Sequence, residues 1–326
     1  MKLATYKDGS RDGQLVVVSR DLSMAHHAQG VAGRLQQVLD DWNFLSPQLE
    51  ALSQNLNHGK ARHAFAFDPA RCMAPLPRAY QWLDGSAYPS HLQRLRRARG
   101  AAAEAGSDVP LMYQGSGDDF LGARDDIVCA DPAHGLDFEG EIAVVTGDVP
   151  MGTTAEAALE SVRLVVLVND LSLRHLIPFE VERGLGLVHG KPATAFAPVA
   201  VTPDELGSAW QGGRLHLQLD CEWNGHRMGR CETGPEMAFH FGQLLAHACK
   251  TRNLRAGTIV GGGTVSNADA GAGHACLAER RAVETIDTGQ PRTEYMRSGD
   301  RIRIEVLGLD GRSVFGAIDQ RVSGAR

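Results

Sequence analysis

The sequence predicts an α+β fold that is mainly β, a mixed strand-rich domain with peripheral helices behind a small N-terminal α+β unit. Three observations lead there. Four stretches carry strand patterning: FEGEIAVVTG (138–147), VRLVVLVND (162–170), RLHLQLDCEWNGHRMGR (214–230) and DRIRIEVLGLDGRSVFG (300–316). The helical stretches between them do not alternate regularly with the strands, which separates the chain from doubly wound sheets and TIM barrels. The first 70 or so residues carry a strand-and-two-helix pattern of their own, closed by CMAPLPRAYQW, where Pro75 and Pro77 impose an extended connector. The boundary is placed at residue 72, giving an N-terminal unit of 1–72 and a main domain of 73–326.

In order along the chain, QLVVVS (14–19) reads as a strand, and GVAGRLQQVLDDW (30–42) and SPQLEALSQNLNHG (46–59) as helices. Ser46 as N-cap, Pro47 at the first helical position and Gly59 past the end frame the second helix. In the main domain, SHLQRLRRARGAAAEAG (90–106), with Ser90 as cap, TTAEAALESV (153–162) and PEMAFHFGQLLAHACKTRN (235–253) read as helices. Asn224-Gly225 and Asp310-Gly311 sit between strand-patterned segments and predict hairpin turns.

Composition narrows the function classes. A net charge of −6 leaves no general basic footprint and argues against a nucleic-acid partner. No apolar run is long enough to span a bilayer, and MKLATYKDGS lacks the hydrophobic core of a signal peptide, so a cytoplasmic location is expected. The six cysteines are scattered without a CxxC pair and read as reduced core residues. GLGLVHGK (184–191) is not a P-loop: Leu185 stands where the first glycine belongs and Pro192 follows the lysine. GGGTVSN (261–267) lacks dinucleotide-binding spacing, and YQGSGDD (113–119) is not a nucleophile elbow. The basic run RLRRARG (94–100) reads as a solvated helix face or as an attractor for an anionic substrate.

Three places combine carboxylates with signs of a site. Glu139 and Glu141 are two apart in a strand-like run, which puts their Cα atoms roughly 6.5–7 Å apart on one face. Asp170 closes an apolar strand in Asn-Asp, and Asp84 lies in the loop YQWLDGSAYPSH with His91. Oxygen ligands without a Cys or His cluster suit Mg²⁺, Ca²⁺ or Mn²⁺ and not zinc. Taken singly, each has an ordinary reading too: a solvated Glu-x-Glu face, a structural Asp, a histidine capping its helix, or a Glu279 paired with Arg280 or Arg281.

As an ordered set these residues resemble the fumarylacetoacetate hydrolase family, over roughly residues 75–322. The resemblance implies a mixed β-roll/β-sandwich catalytic domain. It implies a divalent cation, Mg²⁺ or Ca²⁺ with Mn²⁺ as a further candidate, held by Asp84, Glu139, Glu141 and Asp170. It implies a water-activating pair of His91, seven residues after Asp84, and Glu279, which follows the GGTVSN segment. Lys191 in VHGKP would stabilise an oxyanion, and Tyr113, Arg174, Thr264 and Ser86 would contact substrate. The implied reaction is hydrolysis of a C–C bond in a β-diketone acid, fumarylacetoacetate first, in aromatic amino-acid (homogentisate, tyrosine) catabolism. The alternatives are an acylpyruvate (fumarylpyruvate) hydrolase, or a 2-oxo-diacid decarboxylase, hydratase or isomerase on the same scaffold. A non-catalytic binding protein with a structural ion site is the contrasting class. The family also implies a homodimer. Two substrate-contacting positions depart from the fumarylacetoacetate enzymes: Ser86 replaces a tyrosine and Ile177 a glutamine.

Overall fold

A computed structural model describes residues 1–101 and 108–324. The N-terminal unit contributes β1 (Lys2–Tyr6), β2 (Gln14–Val18), β3 (Met24–His27), helices α1 (Leu35–Asp40) and α2 (Trp42–Asn57), and the short β4 (Phe65–Ala66). After the connector come β5 (Trp82–Gly85), α3 (Pro89–Ala98), β6 (Met112–Gly115), β7 (Ile127–Cys129), β8 (Leu136–Asp137) and β9 (Gly140–Thr146). Next are α4 (Ala155–Leu159), β10 (Val162–Asn169), β11 (Ser172–Leu173), α5 (Ile177–Arg183), β12 (Ala195–Phe196) and β13 (Ala200–Val201). The chain continues with β14 (Trp210–Gln211), β15 (Arg214–Leu215), β16 (Gln218–Trp223), β17 (His226–Glu232), α6 (Phe241–Ala248) and β18 (Ile259–Gly261). It closes with α7 (Leu277–Thr288), β19 (Arg301–Leu307) and β20 (Ile318–Gly324).

The fold is the strand-rich α+β arrangement that the sequence predicts. One sheet runs β4-β3-β2-β1-β13-β10-β9-β18-β5-β6, with β12 also on β10, and a second runs β17-β16-β19-β20-β7. Alternation explains how the large sheet is covered on both faces. Ile142, Val144, Val165 and Leu167 pack with Leu219, Ile302, Ile304 and Ile318 of the second sheet. Ala143, Val145, Leu164, Val166 and Val168 pack with Leu35, Val38, Leu39 and Leu49 of the N-terminal helices. The strands of the N-terminal unit thus continue the sheet of the main domain, with Lys2 and Leu3 registered on Val201 and Ala200.

Several boundaries differ from the sequence reading. Helix α2 begins at Trp42 with Asp41 as its N-cap, so Ser46 and Pro47 lie inside it. The proline removes only the bond to the Asn43 carbonyl, while Trp42 and Leu45 gain contact with the core. At α3 the cap is Tyr88 with Pro89 first in the helix, and the Ser90 hydroxyl bonds Ser266 Oγ instead, 2.9 Å away. That helix ends at Ala98, and the part of its expected course over 102–106 lies outside the described residues. Helix α6 starts only at Phe241, where His240 and Gln243 form a capping box.

The expected strand over 138–147 is interrupted at Glu139, whose N–H donates to the Asn169 side chain at 3.1 Å while the Gly140 N–H goes to the Ala275 carbonyl at 2.9 Å. Asn224 and Gly225 have φ of 52° and 77°, the paired left-handed conformation of a type I′ turn between β16 and β17. Asp310-Gly311 turns the chain too, but the returning segment makes only an isolated bridge, Ser313 to Leu307. All six cysteines are free and buried. Among the described residues no helix is long and apolar enough to cross a membrane.

Candidate active site

Sheet topology gathers the acids. Antiparallel β9 and β10 place Glu141 opposite Val168, so Asp170, just past β10, emerges at the same end. Parallel β18 and β5 register Gly261 on Asp84, and β6 sets Tyr113 opposite Asp84. Residues 84, 141 and 170 share the strand parity of Trp82, Ala143 and Val168, which face the N-terminal helices. The result is one buried cluster, in which a carboxylate oxygen from each of Asp84, Glu141 and Asp170 lies within 4.8 Å of the others.

Glu141 is fully buried, and among the described residues neither of its oxygens meets an N–H, ammonium or hydroxyl donor; its close neighbour is the Asp84 carboxyl. Burial, followed by the charges of Asp84 and Asp170, pushes its carboxyl well above the usual range. Asp84 is raised in the same way, first by burial and then by Asp170, although the Gly263 N–H donates to its Oδ1 at 3.1 Å. Three buried acids pressed together, one of them without a donor among the described residues, form an oxygen donor set that a divalent cation would satisfy. These three residues could hold such an ion, and its charge is what their mutual repulsion calls for.

The Glu139 carboxylate is engaged differently. Its Oε1 accepts from the Ser172 hydroxyl at 2.6 Å and from Lys191 Nζ at 3.0 Å, and lies 3.0 Å from Arg174 Nη2. Its Oε2 accepts from the Thr264 hydroxyl. Burial opposes ionisation, but Arg174, Lys191 and His91 outweigh it and hold Glu139 well below the ordinary carboxylate range. Lys191 links this group to the triad: its Nζ also donates to the Asp170 carbonyl at 3.1 Å and pairs with the Asp170 carboxylate. Burial works against the Lys191 charge, yet Asp170 and Glu139 leave it held above its ordinary value. Asp170 is further bonded by the Thr194 hydroxyl at 2.8 Å and by the Tyr113 hydroxyl.

Helix α3 places His91 at its first turn, buried, with Nδ1 2.9 Å from Glu279 Oε2. Glu279 is the third residue of α7 and fully buried. Burial tends to raise its pKa, but bonds from His274 and His91 and the Arg94 charge keep it well below the usual range. Neither Arg280 nor Arg281 pairs with it: Arg280 reaches Glu284 and Arg281 the Thr293 carbonyl. Ser86 is half-buried two residues past Asp84, and Ile177 opens α5.

Several participants are not visible as motifs. Asp137, two before Glu139, accepts from the Leu277 and Ala278 N–H groups at 2.7 and 2.9 Å and from Arg174 Nε at 2.8 Å, so it seats the N-terminus of α7. Asn169 orients the Glu139 backbone, and Thr194, Ser172, Arg94 and His274 complete the hydrogen bonding. A cavity of about 560 Å³ between the N-terminal unit and the connector lies apart from these residues, and its arginines, Arg34 and Arg78, are paired with Asp8 and Asp12.

A family profile described as fumarylacetoacetate (FAA) hydrolase C-terminal matches residues 81–323, and one described as fumarylacetoacetase N-terminal domain 2 matches residues 1–78. The chain belongs to the fumarylacetoacetate hydrolase family. It is 29% identical over 210 residues to a 2,4-didehydro-3-deoxy-L-rhamnonate hydrolase of a Sphingomonas species, a stretch covering 63% of this chain and 65% of that protein. Among solved structures, it resembles a probable 2-hydroxyhepta-2,4-diene-1,7-dioate isomerase from Mycobacterium abscessus at 20% identity and a TM-score of 0.69, covering 100% of both chains. It likewise resembles a maleylpyruvate hydrolase from Sphingobium sp. SYK-6, solved with manganese(II) and pyruvate, at 16% identity and a TM-score of 0.66, again covering 100% of both chains.

Proposed function

We propose that this protein is a metal-dependent hydrolase of the C–C bond in a β-diketone acid, with fumarylacetoacetate as the leading substrate. The observation that carries the reading is a histidine–glutamate pair, His91 and Glu279 at 2.9 Å, linked to a buried triad of carboxylates through Glu139, which feels the His91 charge and shares Lys191 with Asp170. A divalent cation on Asp84, Glu141 and Asp170 would supply Lewis-acid charge for the enolate that departs when the bond breaks. Glu139 is the fourth proposed ligand; here its carboxylate is engaged by Lys191 and Arg174, which would have to share it with the ion.

In the proposed reaction, His91 Nδ1 donates to Glu279, which leaves Nε2 to take a proton from a water. The oxygen of that water bonds to one carbonyl carbon. Lys191, with Thr264 or nearby backbone N–H groups, would stabilise the resulting oxyanion by exchanging for it the bonds they make here to Glu139. The bond to the carbon between the two carbonyls then breaks, its electron pair stays on the departing enolate, and the His91 proton returns to that carbon. Tyr113, Arg174 and Ser86 would contact the acid, and Mg²⁺, Ca²⁺ and Mn²⁺ are the cations to try. Because Ser86 and Ile177 depart from the fumarylacetoacetate enzymes at substrate-contacting positions, the chemistry carries over more safely than the substrate, and an acylpyruvate such as fumarylpyruvate is the second reading. We further propose a cytoplasmic homodimer, which light scattering on the purified protein tests directly.

The deciding assay incubates the protein with fumarylacetoacetate, fumarylpyruvate and oxaloacetate in parallel, with and without chelator. Loss of enol absorbance that stops with chelator, and that falls about 10²-fold or more in His91→Ala, is the expected result. Undiminished turnover by His91→Ala removes the pair from the mechanism, and no loss of any diketone removes hydrolysis.

A further inference from the structure

We propose that Arg94 and His274 are positioning residues that lock the Glu279 carboxylate against His91, an inference that rests on reading His91 and Glu279 as the water-activating pair. Glu279 has no solvent exposure, so each of its oxygens needs a protein partner. Its Oε2 faces His91, while Oε1 accepts from Arg94 Nη1 at 2.6 Å and from His274 Nδ1 at 3.0 Å. A glutamate held only by His91 could turn about its last torsion, which is broad for carboxylates. Held at three points it cannot, and the His91 Nδ1–H has one fixed acceptor.

Both partners are themselves placed by the fold. Arg94 follows His91 by three residues, so one face of α3 presents both to α7. Its guanidinium also donates to Ser266 Oγ at 3.2 Å and to the Ala268 carbonyl at 3.1 Å, and its side chain is only 16% exposed. That desolvated charge offsets the buried anion. His274 is set by the β16–β17 hairpin: its N–H donates to the Met228 carbonyl at 2.9 Å, and Gly229 passes so close that a Cβ there would stand 2.5 Å from the His274 nitrogen. The hairpin of the second sheet therefore reaches the pair through His274. Neither Arg94 nor His274 needs to touch substrate for this role.

The experiment uses four variants of the full chain: His274→Ala, His274→Asn, Arg94→Gln and Arg94→Lys. Asn keeps a donor near the position of the imidazole Nδ1, and Lys keeps the charge. On a β-diketone acid turned over by the wild type, His274→Ala and Arg94→Gln should lose about tenfold or more in kcat with KM within about twofold. Asn and Lys should recover most of the loss. Long-range nitrogen–proton correlation spectra of labelled histidine should show the Nδ1–H tautomer of His91 in the wild type and a mixture in His274→Ala and Arg94→Gln. Folded variants that keep both kcat and the tautomer overturn the proposal, as does a lower melting temperature with unchanged kcat. If the wild type consumes no β-diketone, the functional reading fails by itself and the tautomer spectra still decide this one.

Discussion

Glu141 and Glu139 are two residues apart and live in opposite electrostatic worlds. Glu139 has two cations and two hydroxyls on its carboxylate. Glu141, buried as well, has none among the described residues, and the like charges of Asp84 and Asp170 press on it. An unpaired buried carboxylate destabilises the fold, and neutral substitution relieves like-charge repulsion. Glu141→Gln should therefore stabilise the metal-free protein, by about 1–3 kcal/mol, while abolishing the stabilisation that Mn²⁺ gives the wild type. Thermal melts of both proteins in chelator and in Mn²⁺ test the two halves together. A metal-free variant less stable than wild type would show that Glu141 is held by something other than a cation.

At the scale of elements, α7 shows why the site was only partly legible from sequence. Its residues LAERRAVETIDT carry Leu277, Ala278 and Ala282 on the buried side, and Gly289 ends it with φ of 85°, yet the helix has four charged residues in its first eight and no Ser, Thr, Asp or Asn cap. Its start is set instead by Asp137, 140 residues upstream of Leu277. Such a partner is a product of tertiary packing and leaves no trace in local spacing. Asp137→Ala should expose the cost: two buried N–H groups and Arg174 Nε lose their acceptor, and stability should fall by about 3 kcal/mol in urea unfolding. Because Glu279 rides on the first turn, kcat should fall with it. A variant as stable as wild type would mean that α7 is seated by its apolar face alone. By contrast, Asp170 stands out as the end of an apolar strand, and Asp84 with His91 by a spacing that resembles the family's, although Asp84, expected in a loop, lies within β5. Arg94 is legible only as part of the basic run 94–100, a solvated face or an anion attractor, and His274 not at all, since their bonds to Glu279 exist only once α3, the β16–β17 hairpin and α7 meet around it.

At the scale of the whole molecule, the sequence divides near residue 72 and the sheet does not. The connector prolines announce a break in the chain, but strand pairing across it is fixed by the fold: β1 sits between β2 and β13, and Leu3, Leu15 and Val17 share one apolar cluster with Val166, Phe196 and Trp82. Unfolding the N-terminal unit alone would strip β13 of a neighbour and bare the face of β9 and β10 on which the acids are mounted. That exposure makes the unit costly to detach, so the chain should unfold in a single cooperative step. The carboxylate triad should be coupled to that step. A cation that binds only the folded chain at a hundred times its dissociation constant adds about 2.7 kcal/mol, which for a chain of this length moves the midpoint upward by roughly 4 °C. Scanning calorimetry in chelator and in Mn²⁺ should therefore show one transition that moves as a whole. Two transitions, only the later of which responds to metal, would mean that the N-terminal helices cover the sheet without stabilising the site, and that the boundary seen in the sequence is also a thermodynamic one.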